Sequence, residues 1–116
     1  MRTIKFRAKC YLDESWVYGF VDITPGNVFI LSGASAYRVR PETVGQFTGL
    51  TDKNGVEIYE GDILSFLGKP ALVFYDNDAS FRAKLMIDYG LSYLLYRDDQ
   101  KTVVGNVHDN PGNVTT

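Results

Sequence analysis

Ile4, Phe6, Ala8 and Cys10 alternate with Lys5, Arg7 and Lys9. A helix would wind these apolar side chains around its axis, whereas an extended strand sends all of them to one face. The same short pattern recurs along the chain, with turn formers at the joins. "DES" turns the chain into "WVYGFVDI", and Thr24-Pro25-Gly26-Asn27 turns it again into "NVFILSG" and "AYRVR". Proline presets φ for such turns and glycine supplies positive φ. Pro41-Glu42-Thr43 predicts one short helical turn, because proline is tolerated at the first helical position. Asp52-Lys53-Asn54-Gly55 predicts a type I turn closed by a positive-φ glycine, joining "QFTGLT" to "VEIYE". "ILSFL", "ALVFY", "LSYLLY" and "TVVGNV" complete the set. The run "SFRAKLMIDYGLSYLLY" fits a helix through Phe81, Leu85 and Ile87, but Tyr89, Tyr93 and Tyr96 with their β-branched neighbours favour strand. Short strands at even spacing predict an all-β protein, a barrel or sandwich. The tail from Asn110 is predicted to fray.

The chain has 116 residues, 45% of them hydrophobic, enough for one small domain or two joined subdomains. No apolar run approaches the roughly 20 residues that span a bilayer. The first ten residues lack the apolar core of a signal peptide, so a cytosolic protein is expected. One cysteine, Cys10, and one histidine, His108, supply neither a disulfide frame nor the usual zinc ligands. The formal net charge is −2, unevenly spread: +3 through Arg40, from six basic and three acidic residues, and −5 beyond it, from six basic and eleven acidic. That balance weighs against broad phosphate binding, while Arg2, Lys5, Arg7, Lys9, Arg38 and Arg40 remain candidate nucleic-acid contacts.

Catalytic and metal chemistry fare poorly. Asp52, Asn54, Gly55, Glu57, Glu60 and Asp62 superficially suggest calcium, but the sixth position after the glycine, where an EF-hand needs glutamate, is Gly61. Glu60 and Asp62 could share a strand face as a carboxylate pair, yet both flank a turn glycine, where acids are commonly solvated. Cys10 falls on the apolar side of its strand as a buried thiol. His108 has no serine or cysteine at motif spacing and reads as a surface side chain. No glycine-rich phosphate loop follows a strand and opens a helix. Trp16 and Tyr18 alternate on one strand and read mainly as core. With eight tyrosines and seven phenylalanines, some aromatics must reach the surface, where they could serve an interaction surface the sequence does not locate.

"IKFRAK" at Ile4 to Lys9, "WVYG" at Trp16 to Gly19, "PETVGQFTGLTDKNGVEIYEGDIL" at Pro41 to Leu64 and "VVGNVHDNP" at Val103 to Pro111 follow one another in order. With these blocks the chain resembles the YopX family of bacteriophage and prophage proteins. It departs from the family at Lys9-Cys10, where members often carry Trp and a charged residue, and at "NPGNV", where they tend to end "NPEL". The resemblance implies a mainly β protein: an N-terminal β subdomain over 1–48, a small SH3-like antiparallel barrel over 49–110, and a tail at 111–116. It also implies a protein made in a bacterial host. Gly45, Gly49, Asp52, Asn54, Gly55, Tyr59, Gly61 and Asp62 are its signature positions and are read as turn and core determinants. No catalytic residue and no cofactor is implied. The expectation is a non-enzymatic accessory protein that binds another protein or itself, the alternative being a small nucleic-acid-binding barrel that uses the basic N-terminal strand.

Overall fold

The computed structural model describes residues 4–66, 69–75, 80–85, 92–94 and 101–109. The protein is all-β, with one 3-10 turn at Pro41–Thr43 (η1) among the described residues. Among the described residues, eleven strands follow in chain order: β1 (Phe6–Lys9), β2 (Trp16–Thr24), β3 (Asn27–Ser32), β4 (Ser35–Val39), β5 (Gly45–Thr51), β6 (Glu57–Tyr59), β7 (Asp62–Phe66), β8 (Lys69–Tyr75), β9 (Phe81–Leu85), β10 (Ser92–Leu94) and β11 (Lys101–Asn106). They form two antiparallel sheets, ordered β4-β3-β2-β1-β5-β6 and β10-β9-β8-β7-β11. The chain divides into compact units at Phe47/Thr48, within β5. The ambiguous run over 80–96 contains strands β9 and β10, while its remaining described residue, Ser80, is in neither. Asp76-Asn77-Asp78 and Arg97-Asp98-Asp99-Gln100, whose polar composition predicts turns, lie outside the described residues, as does the tail from Asn110.

In the first unit, the alternation seen in the sequence becomes a division between faces. Residues directly opposite each other in an antiparallel pair share a face. Ala8 faces Val17, Val21 faces Ile30, and Val28 faces Val39. Ala8, Ile30 and Val39 form one buried hydrophobic cluster, with Phe6, Val17, Val21, Val28 and Val44 packed against it. The sheet curls far enough for Val39, at the end of β4, to form an antiparallel bridge with Cys10. The Tyr11 N–H donates to the Arg38 carbonyl (2.8 Å) and the Arg40 N–H to the Lys9 carbonyl (2.9 Å). This contact is confined to the strand ends, so the first unit is a curled sheet whose ladder ends at β4. η1 follows at once, and its Thr43 hydroxyl ties the turn to β1 by accepting from the Lys9 N–H (2.8 Å).

In the second unit, β7 to β10 form an antiparallel meander, and β11 returns to pair with β7. Ile58, Leu64, Ala71, Val73, Phe81 and Ala83 make its core, joined by Leu50 and Val103. The β5–β6 hairpin closes as the sequence predicts. Gly55 has φ 82° and donates its N–H to the Asp52 carbonyl (3.0 Å).

Candidate functional site

The acidic stretch that resembles a metal or catalytic loop is committed to backbone. Asp52 is only 6% exposed. Its Oδ1 accepts the N–H groups of Asn54 (2.8 Å) and Val56 (2.9 Å), and its Oδ2 accepts the Val103 N–H (3.0 Å) across to β11. Burial pushes the Asp52 carboxyl up, but these three N–H donors and the nearby Lys53 charge together hold it below its ordinary value. Asp62 is 1% exposed, and its Oδ2 accepts the Tyr59 N–H (2.7 Å) across the tight Glu60-Gly61 turn. The Tyr59 hydroxyl in turn donates to Glu57 Oε1 (3.0 Å). Glu60 is half-buried and Asp62 buried, so the two do not form an open carboxylate pair. Among the described residues no group of three or more His, Cys, Asp or Glu side chains is arranged to hold a metal ion.

The remaining signature residues are also placed by the turns and ladders. Gly45 is buried opposite Arg7, Gly49 lies exposed in β5, and Gly61 donates its N–H to the Val73 carbonyl (2.9 Å). His108 is half-buried beside Gly61; its N–H donates to Asn106 Oδ1 (3.0 Å), which also accepts the Asp109 N–H (2.9 Å). Cys10 is half-buried and free, lining a groove of about 290 Å³ with Tyr11, Leu12, Ala36, Tyr37 and Arg38.

A different surface emerges on the outward side of the first sheet. Since Val17 and Val21 face the core, Trp16, Tyr18 and Phe20 project the other way. Tyr18 is 46% exposed and Phe20 63%, with Leu31, directly opposite Phe20 on β3, at 37%. Trp16 is half-buried. The reading of Trp16 and Tyr18 as mainly core is thereby corrected. β2 is apolar on both faces, so its alternation does not reveal which face the fold buries.

The basic candidates gather around these rings. Arg7 lies opposite Tyr18 and Lys9 opposite Trp16, so both share this outward face. The Arg7 guanidinium lies 4.5 Å from the Trp16 ring centre and the Lys9 ammonium 5.6 Å from it. The Lys5 ammonium lies 5.2 Å from the Phe47 ring. Lys5 and Lys9 are half-buried, whereas Arg7 is 7% exposed and acts as a prop against Trp16. Arg38 is exposed opposite Phe29 and stacks 4.1 Å from the Tyr11 ring. Arg40 also lies over Tyr11, at 5.3 Å, and its Nη2 donates to the Tyr11 carbonyl (3.2 Å). Arg2 is outside the described residues. The structure thus brings Lys5, Arg7 and Lys9 together with an aromatic row, and Arg38 to the far side of the same sheet. Phe20, Phe29 and Leu31 are the members that sequence reading missed; the cross-strand register that assembles them is not written in any one segment.

Comparison with known proteins agrees with this architecture. A search of curated proteins finds no match. Among solved structures, the chain is similar to the crystal structure of protein EF1440 from Enterococcus faecalis, with 25% identity and a TM-score of 0.60 over 98% of this chain and 99% of that one. The profile of the YopX protein family matches residues 5–114. Nearly the whole chain, from β1 past the Asn106 turn, is covered by that match, and the protein belongs to the YopX family.

Proposed function

We propose that the protein is a non-enzymatic binding module whose working surface is the outward face of β1 to β4. The observation that carries this reading is the row Tyr18, Phe20 and Leu31, held at the surface while the opposite face of the same strands supplies the core. Contiguous exposed hydrocarbon on a small domain marks interaction surfaces, because covering it releases water at a gain of about 25 cal/mol per Å². Catalysis is the weaker reading, since Asp52 and Asp62 already accept backbone N–H groups. The family resemblance supports a phage or prophage setting in the bacterial cytoplasm, and among the described residues no helix is long and apolar enough to cross a membrane. In the second unit, a meander with its last strand returned beside its first supports an SH3-like reading of that part.

The test is a Tyr18→Ser/Phe20→Ser double variant, used as bait beside the wild type in lysate from phage-carrying cells. Bound protein and bound nucleic acid are both recovered. Loss of the wild-type partner by a variant that still folds supports the proposal, and an unchanged set of partners counts against it. Self-association is a second reading, favoured by β4. Ser35, Ala36, Tyr37 and Arg38 are all exposed on this edge strand, and an open edge can pair with a second copy. Sedimentation at micromolar concentration tests it, and a strict monomer there removes it.

A further inference from the structure

We infer that the partner of this outward face is a single-stranded nucleic acid, whose bases stack on Trp16, Tyr18 and Phe20 while its phosphates follow Lys5, Lys9 and Arg38. The inference rests on the proposal that this face is the working surface.

The spacing of the rings is the first argument. Alternate residues of one strand stand about 7 Å apart. Successive bases in one strand of a stacked duplex are about 3.4 Å apart, so the row matches a chain whose bases are splayed rather than stacked on one another. Aromatic faces on a sheet take any base, because every base has a π-face. The second argument is charge. Lys5 and Lys9 lie on the β1 side of the row and Arg38 on the β4 side, so cations border the rings from both flanks. Asp22, at the far end of β2 opposite Phe29, is the single acid among the described residues of the outward face of β1 to β4.

The third argument is the charge of each unit. Residues 1–47 carry six basic and four acidic residues, a balance of +2; residues 48–116 carry six basic and ten acidic, a balance of −4. A polyanion is repelled by the second unit and drawn to the first. An overall acidic chain therefore keeps one local surface suited to phosphate. Arg7 contributes differently. Held against Trp16, it stiffens the ring and makes it more electropositive, rather than reaching for phosphate itself.

Trp16 is the chain's one tryptophan, so its emission reports directly on the proposed platform. The probes are a labelled oligothymidylate of about 12 nucleotides, the matching oligouridylate, a duplex of the same length, and inorganic polyphosphate. Single strands are expected to quench Trp16 and to raise the anisotropy of the label; polyphosphate, which has no bases, should leave the emission unchanged. Phe20→Ala and Tyr18→Ala should each weaken single-strand binding roughly tenfold or more while the unfolding midpoint stays near the wild type. Lys5→Ala and Lys9→Ala should each flatten the logarithmic salt slope by about 0.7.

The inference is overturned by absence of single-strand binding at low salt, by tighter duplex binding, by polyphosphate binding as well as the oligonucleotides, or by undiminished binding in the aromatic variants. Should oligonucleotides fail while Tyr18→Ser/Phe20→Ser still abolishes capture of a protein partner or self-association, the inference falls and the proposed working surface stands. Should the double variant lose nothing at all, both fall.

Discussion

Gly19 and Gly55 both hold positive φ, but different physics keeps them glycine. Gly55, at 82°, ends a turn in open space, with nothing within 4 Å of where a Cβ would be. Gly19, at 158°, lies where a Cβ would fall 2.0 Å from the Leu31 carbonyl oxygen. Gly55→Ala should therefore cost only the conformational term, about 1–2 kcal/mol. Gly19→Ala should cost roughly 3 kcal/mol or more, because β3 has to move away from β2. Urea unfolding of the two variants side by side checks this; equal midpoints would remove the close approach at Gly19.

Asp52 carries a pH prediction of the same local kind. Its carboxyl is held below the ordinary range in the folded protein, so it contributes stability that is present above the unfolded value and is lost as pH falls through the folded one. Asp52→Asn turns one acceptor into a donor, aimed at a backbone N–H of the Asn54–Val56 turn or at that of Val103, and should cost about 1–3 kcal/mol at neutral pH. The gap between variant and wild type should narrow as the solution is acidified below the carboxylate range. A gap that stays constant with pH would show that the charge of Asp52 plays no part.

At the scale of elements, the two faces of β2 and β3 should respond oppositely to truncation. Ile30 is fully buried, and Ile30→Ala should cost about 2–5 kcal/mol through lost contacts and a residual cavity. Phe20 on the outward face is largely exposed, and Phe20→Ser should change stability by no more than about 0.5–1 kcal/mol. Thermal melts of both variants check the assignment of faces. A large loss from Phe20→Ser would mean that this ring belongs to a core and would withdraw the candidate site. The sequence made the strands themselves readable, since the β1 alternation, the turn at Pro25-Gly26 and the Asp52-to-Gly55 hairpin each act within a few residues.

For the whole molecule, the expectation is folding independent of metal. Calcium at the Asp52 hairpin would have to displace three backbone N–H donors and leave them unsatisfied. Melts in calcium, in zinc and in a chelator should superimpose, because an ion bound to the folded state would raise the midpoint by mass action. A shift of several degrees with one ion would reopen that loop as a site.

Local chemistry determined much of this protein in advance. Glycine, proline and Asx residues set the turns, period-two patterning set the strands, and the block from Pro41 to Leu64 marked the family. What waited for the tertiary structure were the consequences of pairing. Asp52 and Val103 are 51 residues apart, so a turn residue that reads as local also fastens β11. Likewise Trp16, Tyr18 and Phe20 look as suited to a core as Val17 and Val21. Only the register of β1, β2 and β3 decides which set the sheet buries, because one step along a strand exchanges its two faces.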